Sequence, residues 1–137
     1  MKKLNIAIAG TGFGASVHLP ALRYSEKLNA SAFFHPKEIK KHEIENKYGL
    51  KCLCDWGELI SNRNIDGIII ATPPESRFEL AKEALKNNKH LLLEKPVAIT
   101  SEEIEELQRI ALKDNLSVCV DFEYRVVPHF LQAKEII

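Results

Sequence analysis

The chain has 137 residues, 45% of them hydrophobic, which is enough for one well-formed core and too few for two ordinary domains. Lysine plus arginine balances aspartate plus glutamate at 19 each, which excludes a charge-driven attraction to nucleic acid, an acidic membrane surface or a polyanion. No stretch is long or apolar enough to span a bilayer, and the short apolar run of "MKKLNIAIAG" enters a glycine turn with no cleavage-type region behind it, unlike a signal peptide.

Short apolar runs alternate with longer amphipathic ones, the pattern of a parallel sheet with helical crossovers. Leu4 to Ala9 reads as the first strand and Gly10 as a tight turn, with a helix from about Ala15 to Tyr24. Ala30 to Phe34 is a second strand, and "KEIKKHEIENKYG" a second helix carrying Ile39, Ile44 and Tyr48, with Gly49 as its stop. "KCLC" is a third strand, after which Asp55 is suited to cap the brief helix "WGELISN". Gly67 to Ala71 forms a fully buried fourth strand, followed by a helix with Phe78, Ala81 and Leu85 on one face. "HLLLE" is the fifth strand. "TSEEIEELQRIALKDN" opens with a Thr or Ser cap and a glutamate shortly after, a capping-box pattern before Ile104, Leu107 and Leu112. "LSVCVDF" is a sixth strand, and "VVPHFLQAKEII" begins a helix whose Phe130, Ile136 and Ile137 lack a packing partner.

Six strands joined through right-handed crossovers predict an α/β, doubly wound, mostly parallel six-stranded sheet of the Rossmann type in a single domain, with a flavodoxin-like strand order as the alternative. The three cysteines, Cys52, Cys54 and Cys119, are odd in number and lack a second pair or a histidine array, so they make a poor zinc signature. They read as reduced thiols of a cytoplasmic protein, small apolar side chains at strand positions, and no metal site is expected.

"IAIAGTGFGASVH" sets Gly10 and Gly12 two apart directly after a strand, with Ala15 at the third position of a G-x-G-x-x-[G/A] pattern. Gly10 can make the tight turn, Gly12 lets backbone approach a pyrophosphate, and Ala15 keeps the helix near the sheet. The helix start offers N–H groups and a positive dipole end to phosphates. An adenosyl-cofactor methyltransferase uses a similar turn and is the competing reading. An acidic residue after the second strand would bind ribose hydroxyls in either case, but here "AFFHPKEIKK" supplies His35, Pro36 and Lys37. Loss of the carboxylate removes repulsion against a 2′-phosphate, and Lys37 with Lys40 or Lys41 can attract one, which leans towards NADP over NAD. A solvated loop with lysines in water is the plainer alternative.

The fourth and fifth strands end in "ATPP" and "LEKP", and ligands of open α/β sheets bind beyond the carboxyl ends of strands. Proline stops each strand there. A partly desolvated Lys95 beside a nicotinamide is suited to give a proton to a substrate oxygen as hydride moves. An exposed strand-end Lys95 paired with Glu94 is the commoner outcome for such a residue.

Three separated stretches, "GTGFGASVHLPAL", "IIIATPPESRFELAKEALKNNKHLLLEKPVAIT" and "VDFEYRVVPHFLQAKEI", resemble the amino-terminal half of the Gfo/Idh/MocA oxidoreductase family in order and spacing. The resemblance implies a cofactor lying across Gly10, Thr11, Gly12, Phe13 and Gly14, with His35 at the adenosine ribose. It further implies that Ala71, Thr72 and Pro73 line the cofactor, and that Glu94, Lys95 and Pro96 reach the nicotinamide ribose and substrate. Lys95 is the expected catalytic residue, and the family commonly holds the lysine-proline bond cis. Two residues depart from the family pattern: Arg77 stands where histidine is usual, as a surface variant or as a residue altering the cofactor's edge, and His35 where an acid is usual.

The resemblance also implies a dinucleotide-binding domain over residues 1–122, with residues 123–137 starting the connection to a substrate domain that these residues do not contain. Tyr124 and Arg125 lead out of the first domain. The expected parent function is NAD(P)-dependent hydride transfer on a sugar, polyol or related alcohol or ketone, with the small-molecule substrate held only by the second domain. A non-catalytic dinucleotide-binding module, or a homo-oligomer formed through an uncovered sheet edge and the terminal helix, is the alternative.

Overall fold

Every one of the six strands runs parallel to its neighbours in a single sheet of order β3-β2-β1-β4-β5-β6. The strands are β1 (Leu4–Ala9), β2 (Leu28–Phe34), β3 (Lys51–Leu53), β4 (Gly67–Ile70), β5 (His90–Leu93) and β6 (Val118–Val120) in a computed structural model that describes residues 2–136. This is the doubly wound Rossmann order, so the flavodoxin-like alternative is set aside. The chain turns from the β1-β2-β3 half to the β4-β5-β6 half between β1 and β4, which opens a crevice at their carboxyl ends.

The sheet is covered on both faces because its central strands are apolar in both directions. All four residues of β4 are buried, as parallel central strands require. A π-helical turn (Gly14–His18) continues into α1 (Leu19–Tyr24), and a 3₁₀ turn (Glu38–Lys40) into α2 (Lys41–Tyr48). Leu19, Leu22 and Ile44 from these helices pack with Ile8, Phe33 and Ile69 on one face. On the other face, Leu59 of α3 (Trp56–Ser61), Ala81 and Leu85 of α4 (Pro74–Lys86) and Leu107 of α5 (Ser101–Lys113) pack on Phe34, Ile68, Ile70 and Leu93. A 3₁₀ turn (Glu123–Val126) and α6 (Pro128–Ile136) follow the sheet.

Local chemistry sets the helix ends. The Asp55 carboxylate accepts the Glu58 N–H at 2.8 Å as an N-cap. Thr100 and Glu103 complete a capping box at α5. Gly49, at φ 68°, closes α2 in the left-handed conformation and donates its N–H to Glu45.

Several expectations change in tertiary context. Strand β2 starts at Leu28, two residues earlier than expected, because Leu28 pairs with Leu4 and Asn29 with Asn5. Ile39 is exposed, since it falls in the 3₁₀ turn rather than on the buried face of α2. Leu112 is exposed as well, while Leu107 and Ala111 are buried: α5 lies alongside α4, so only a narrow stripe of it is covered. Cys52 is buried and Cys119 is exposed on β6, so only the former behaves as core filling. Phe130 and Ile136 of α6 are exposed, as expected; Ile137 lies outside the described residues.

No helix among the described residues is long and apolar enough to cross a membrane. An apolar pocket of about 290 Å³ opens at the amino ends of β1, β4 and β5, against Ile6, Leu22, Leu28 and Leu92. It lies at the opposite end of the sheet from the glycine turn, with Asp66 and His90 among the residues that line it.

Candidate functional site at the carboxyl ends of the strands

The glycine turn departs from β1 with Gly10 at φ 112°, a conformation that side-chain-bearing residues rarely adopt. A Cβ added there would lie 2.5 Å from the Ala71 carbonyl oxygen, so the turn is pressed against the exit of β4. At Gly12 an added Cβ would meet nothing within 4 Å, and the backbone is open to the crevice. At Gly14 it would meet Ile8 at 2.7 Å. Close helix-to-strand packing is therefore enforced at Gly14, one residue before Ala15, which is buried behind it. Ala15 and Ser16 both donate their N–H groups to the Gly12 carbonyl, which winds the turn into the π-helical segment.

Gly10, Thr11 and Gly12 line a cleft of about 610 Å³ together with Phe34, His35, Ala71, Thr72 and Pro73. The structure thus brings together residues expected from three separate strand ends. The Thr72 hydroxyl is buried without a protein partner, a donor and acceptor set into the wall of this cleft. Open backbone at Gly12 and an orphaned hydroxyl at Thr72 suit a polar ligand carrying phosphate and ribose groups, so the residues present fit a dinucleotide.

His35 borders this cleft and also a smaller one of about 170 Å³ shared with Thr11, Lys40 and Lys47. Its Nδ1 accepts the Lys37 N–H at 3.1 Å, which holds the ring in place. Lys37 is exposed and its side chain lines neither cleft; Lys41 pairs with Glu38 at 3.4 Å. Lys40, paired with Glu43 at 2.6 Å, is the cation of that group that faces His35.

At the exit of β5, Glu94 is buried and does not pair with Lys95. One carboxylate oxygen of Glu94 lies 2.9 Å from Nε2 of the buried His18, and the other accepts the Lys95 N–H at 3.2 Å. Asp121, just after β6, approaches the same histidine nitrogen at 3.6 Å. The donor atoms of His18, Glu94 and Asp121 all lie within 4.8 Å of one another, and hydrogen bonding within the trio accounts for that spacing. Burial, together with the Glu94 carboxylate, pushes the Asp121 carboxyl above its ordinary value. Phe13 of the glycine turn packs edge-on against His18 at 5.4 Å, so the trio ties the turn to the exits of β5 and β6.

The Lys95–Pro96 peptide is cis. The Lys95 side chain stands about half in water and pairs with Glu123 at 3.1 Å. That hydrogen bond raises the Lys95 amine above its ordinary value and keeps it charged at neutral pH. Cys52 and Cys54 are unsuited to nucleophilic work: burial raises the Cys52 thiol, and burial with the Glu38 carboxylate pushes Cys54 up to about 12.

Two further buried residues shape the site, Arg77, read as a surface variant or as a residue at the cofactor's edge, and His18, which was not among the expected site residues. Arg77 is no surface variant: it is buried in the first turn of α4 and donates to the Thr72, Glu94 and Pro96 carbonyls. Helical spacing carried a signal for both. Arg77 precedes Ala81, Ala84 and Leu85 by four, seven and eight residues, and His18 falls between Ala15 and Leu22 on the buried stripe.

The family described as "Oxidoreductase family, NAD-binding Rossmann fold" matches residues 4–122. An uncharacterised oxidoreductase of Synechocystis is 37% identical over 98% of this chain and 36% of its own length. A levoglucosan dehydrogenase of Pseudarthrobacter phenanthrenivorans is 29% identical over all of this chain and 37% of its own. Among solved structures, an NAD-binding protein from Listeria innocua superimposes with a TM-score of 0.90 at 31% identity, covering 98% of this chain and 40% of that one. A 3-ketoreductase from Actinomadura kijaniata, in complex with NADP and TDP-benzene, has the same fold with a TM-score of 0.92 at 19% identity, over 98% and 42% of the two chains. This chain spans about two-fifths of the length of these relatives. A Rossmann sheet with a glycine turn at its switch point and a family match over nearly all of its residues together place the chain in the Gfo/Idh/MocA oxidoreductase family, of which it carries the NAD(P)-binding fold.

Proposed function

We propose that this chain is the dinucleotide-binding part of an NAD(P)-dependent oxidoreductase that moves hydride between the cofactor and a sugar, polyol or related alcohol or ketone. The observation that carries the reading is one cleft lined by the glycine turn and the exits of β2 and β4, with the exit of β5 beside that of β4 in the sheet. Gly10, Thr11, Gly12, Phe13 and Gly14 would hold the pyrophosphate, and Ala71, Thr72 and Pro73 would flank the cofactor along the β4 exit. His35 would meet the adenosine ribose. His35 stands where a carboxylate would repel a 2′-phosphate, and Lys40, Lys47 and the Lys40-paired Glu43 line the adjoining cleft, a balance that leans towards NADP. When bound, the nicotinamide supplies or accepts the hydride.

Lys95 would act on the substrate. Its charged amine donates a hydrogen bond to a carbonyl oxygen, and transfers a proton to that oxygen as hydride reaches the carbon, giving the alcohol. In the reverse direction the neutral amine takes the hydroxyl proton. Glu123 holds the amine until a substrate oxygen replaces it. Glu94 and Pro96 flank the lysine, and the His18–Glu94–Asp121 trio fixes the carboxylate that accepts the Lys95 N–H.

Residues 1–122 would form the cofactor domain and residues 123–137 the start of a connection to a substrate domain. The 137 residues alone would bind dinucleotide without turnover, because orientation and exclusion of water need a second wall over Lys95. Titration with NADP and NAD, followed by fluorescence, tests this directly. Saturable binding with NADP several-fold tighter is expected. Binding of neither would remove the cofactor reading, and tighter NAD would remove the assignment at His35. Fused to the remainder of a full-length relative, the chain should gain reductase activity that Lys95→Ala abolishes.

A further inference from the structure

We infer that Arg77 is the positioning residue for Lys95, a single guanidinium that locks the exit of β4 to the exit of β5 and so couples the cofactor cleft to the lysine. The inference rests on the proposed role of Lys95 and the cleft. Its geometry is independent of that role. Nη1 donates to the Glu94 carbonyl at 2.6 Å and to the Pro96 carbonyl, the two peptide oxygens that bracket Lys95. Nη2 donates to the Thr72 carbonyl, in the segment that lines the cleft. The Lys95 side chain is half exposed, and among the described residues its one ion pair is with Glu123. The backbone on either side of the lysine is therefore where its direction is set.

Arginine suits this position for a physical reason. Its planar fork reaches carbonyls on two chain segments at once, whereas the single nitrogen of lysine is one point on a flexible stem. The residue is 3% exposed, so water does not compete for the donors. Removing the guanidinium would leave three carbonyls to find other partners, and the segment they belong to carries both Lys95 and the wall of the cleft. A displacement of Thr72 would be transmitted to Glu94 and Pro96 through one rigid group.

The test uses the 137-residue chain, with amide hydrogen exchange read residue by residue and NADP affinity read by fluorescence. In Arg77→Met, exchange at Lys95, whose N–H is held by the Glu94 carboxylate, should accelerate at least tenfold while that of Leu91 to Leu93 stays within threefold of wild type, and NADP affinity should fall about tenfold. Arg77→Lys, which keeps the charge, should recover neither protection nor affinity by more than threefold. Lys89→Met serves as the control for a merely structural role. Lys89 is a similarly buried cation beyond the other end of α4, and its loss should leave both readouts at wild-type values in the folded protein. Wild-type protection and affinity in either Arg77 variant, or equal losses in Lys89→Met, would overturn the inference. If Arg77→Met does not fold, Arg77→Lys and the wild-type guanidinium protons decide: Arg77 Nη protons exchanging as fast as those of the exposed Arg63 would also overturn it. Failure of the wild type to bind any dinucleotide removes the cofactor reading, and the exchange measurements still decide the role of Arg77.

Discussion

Helix α4 has a buried cation at each end, and the two do different things. Lys89, just beyond its carboxyl end, donates to the Asn62 and Ile65 carbonyls at 2.7 Å each, tying the loop after α3 to the amino end of β5. Arg77, in its first turn, ties the carboxyl ends of β4 and β5. Burial lowers the pKa of both groups, and backbone carbonyls accept from the Lys89 amine and from both Nη atoms of Arg77, while the Arg77 Nε is buried without a partner. The chemistry is shared and the location is not: ligands of a doubly wound sheet gather at the carboxyl ends, so the same kind of clamp is structural at one end and shapes the site at the other.

The largest expected effect is at the structural end. Lys89→Met leaves the buried Ile65 carbonyl without its donor and the part-buried Asn62 carbonyl with the Ile65 N–H alone, and should cost about 3 kcal/mol of unfolding free energy in urea melts. Folded Lys89→Met should bind NADP as the wild type does; weaker binding would break the contrast between the two ends. Its pH dependence has a definite sign. Because the folded-state pKa of Lys89 lies below the ordinary 10.5, the unfolded chain binds the extra proton between the two values. Wild-type stability should therefore gain on that of Lys89→Met as pH rises through that window towards 10.5.

At the site end, Gly10→Ala would force a Cβ against the Ala71 carbonyl at a φ of 112°. It should cost about 2 kcal/mol and weaken NADP binding at least tenfold, by melts and fluorescence. Loss of stability with affinity intact would separate the turn from the cleft.

Asp121→Asn sharpens the comparison through pH. The folded-state carboxyl of Asp121 titrates above its ordinary 3.8, so its contribution is full below that value and lost as pH rises through the folded pKa. The asparagine variant should thus gain relative to wild type as pH rises through the same window, in melts across acidic pH. A flat difference would remove the His18–Glu94–Asp121 trio from the pH response. The smallest effect is expected for Lys95→Met: its pair with Glu123 is solvated, so the melting temperature should not move, whereas activity in a full-length fusion should be lost.

Local rules were legible because they act over a few residues. Gly49 ends α2, Asp55 caps α3, and Thr100 with Glu103 opens α5, each through a bond within four residues in the chain. The alternation of apolar runs and amphipathic stretches carried the parallel sheet, and the glycine spacing carried the turn at Gly10 and Gly12. Where segments compete for cover, such reading reached less far. Leu112 sits on the expected face of α5 and remains exposed, since α4 covers only part of that helix. A pair between Glu94 and its neighbour Lys95 is the plainer alternative that the motif leaves open, but the Glu94 carboxylate turns inward to His18, 76 residues away in sequence.

The amino-acid sequence by itself determined the elements, their caps, the glycine turn and the family, because periodicity, backbone preference and motif spacing are properties of short stretches. Tertiary structure alone decided which charges were buried and what they hold. The partners of His18 and Arg77 come from strand ends that are distant along the chain and adjacent only in the folded sheet. Burial then turns those meetings into fixed hydrogen bonds, because a polar group taken out of water must find its partner within the protein.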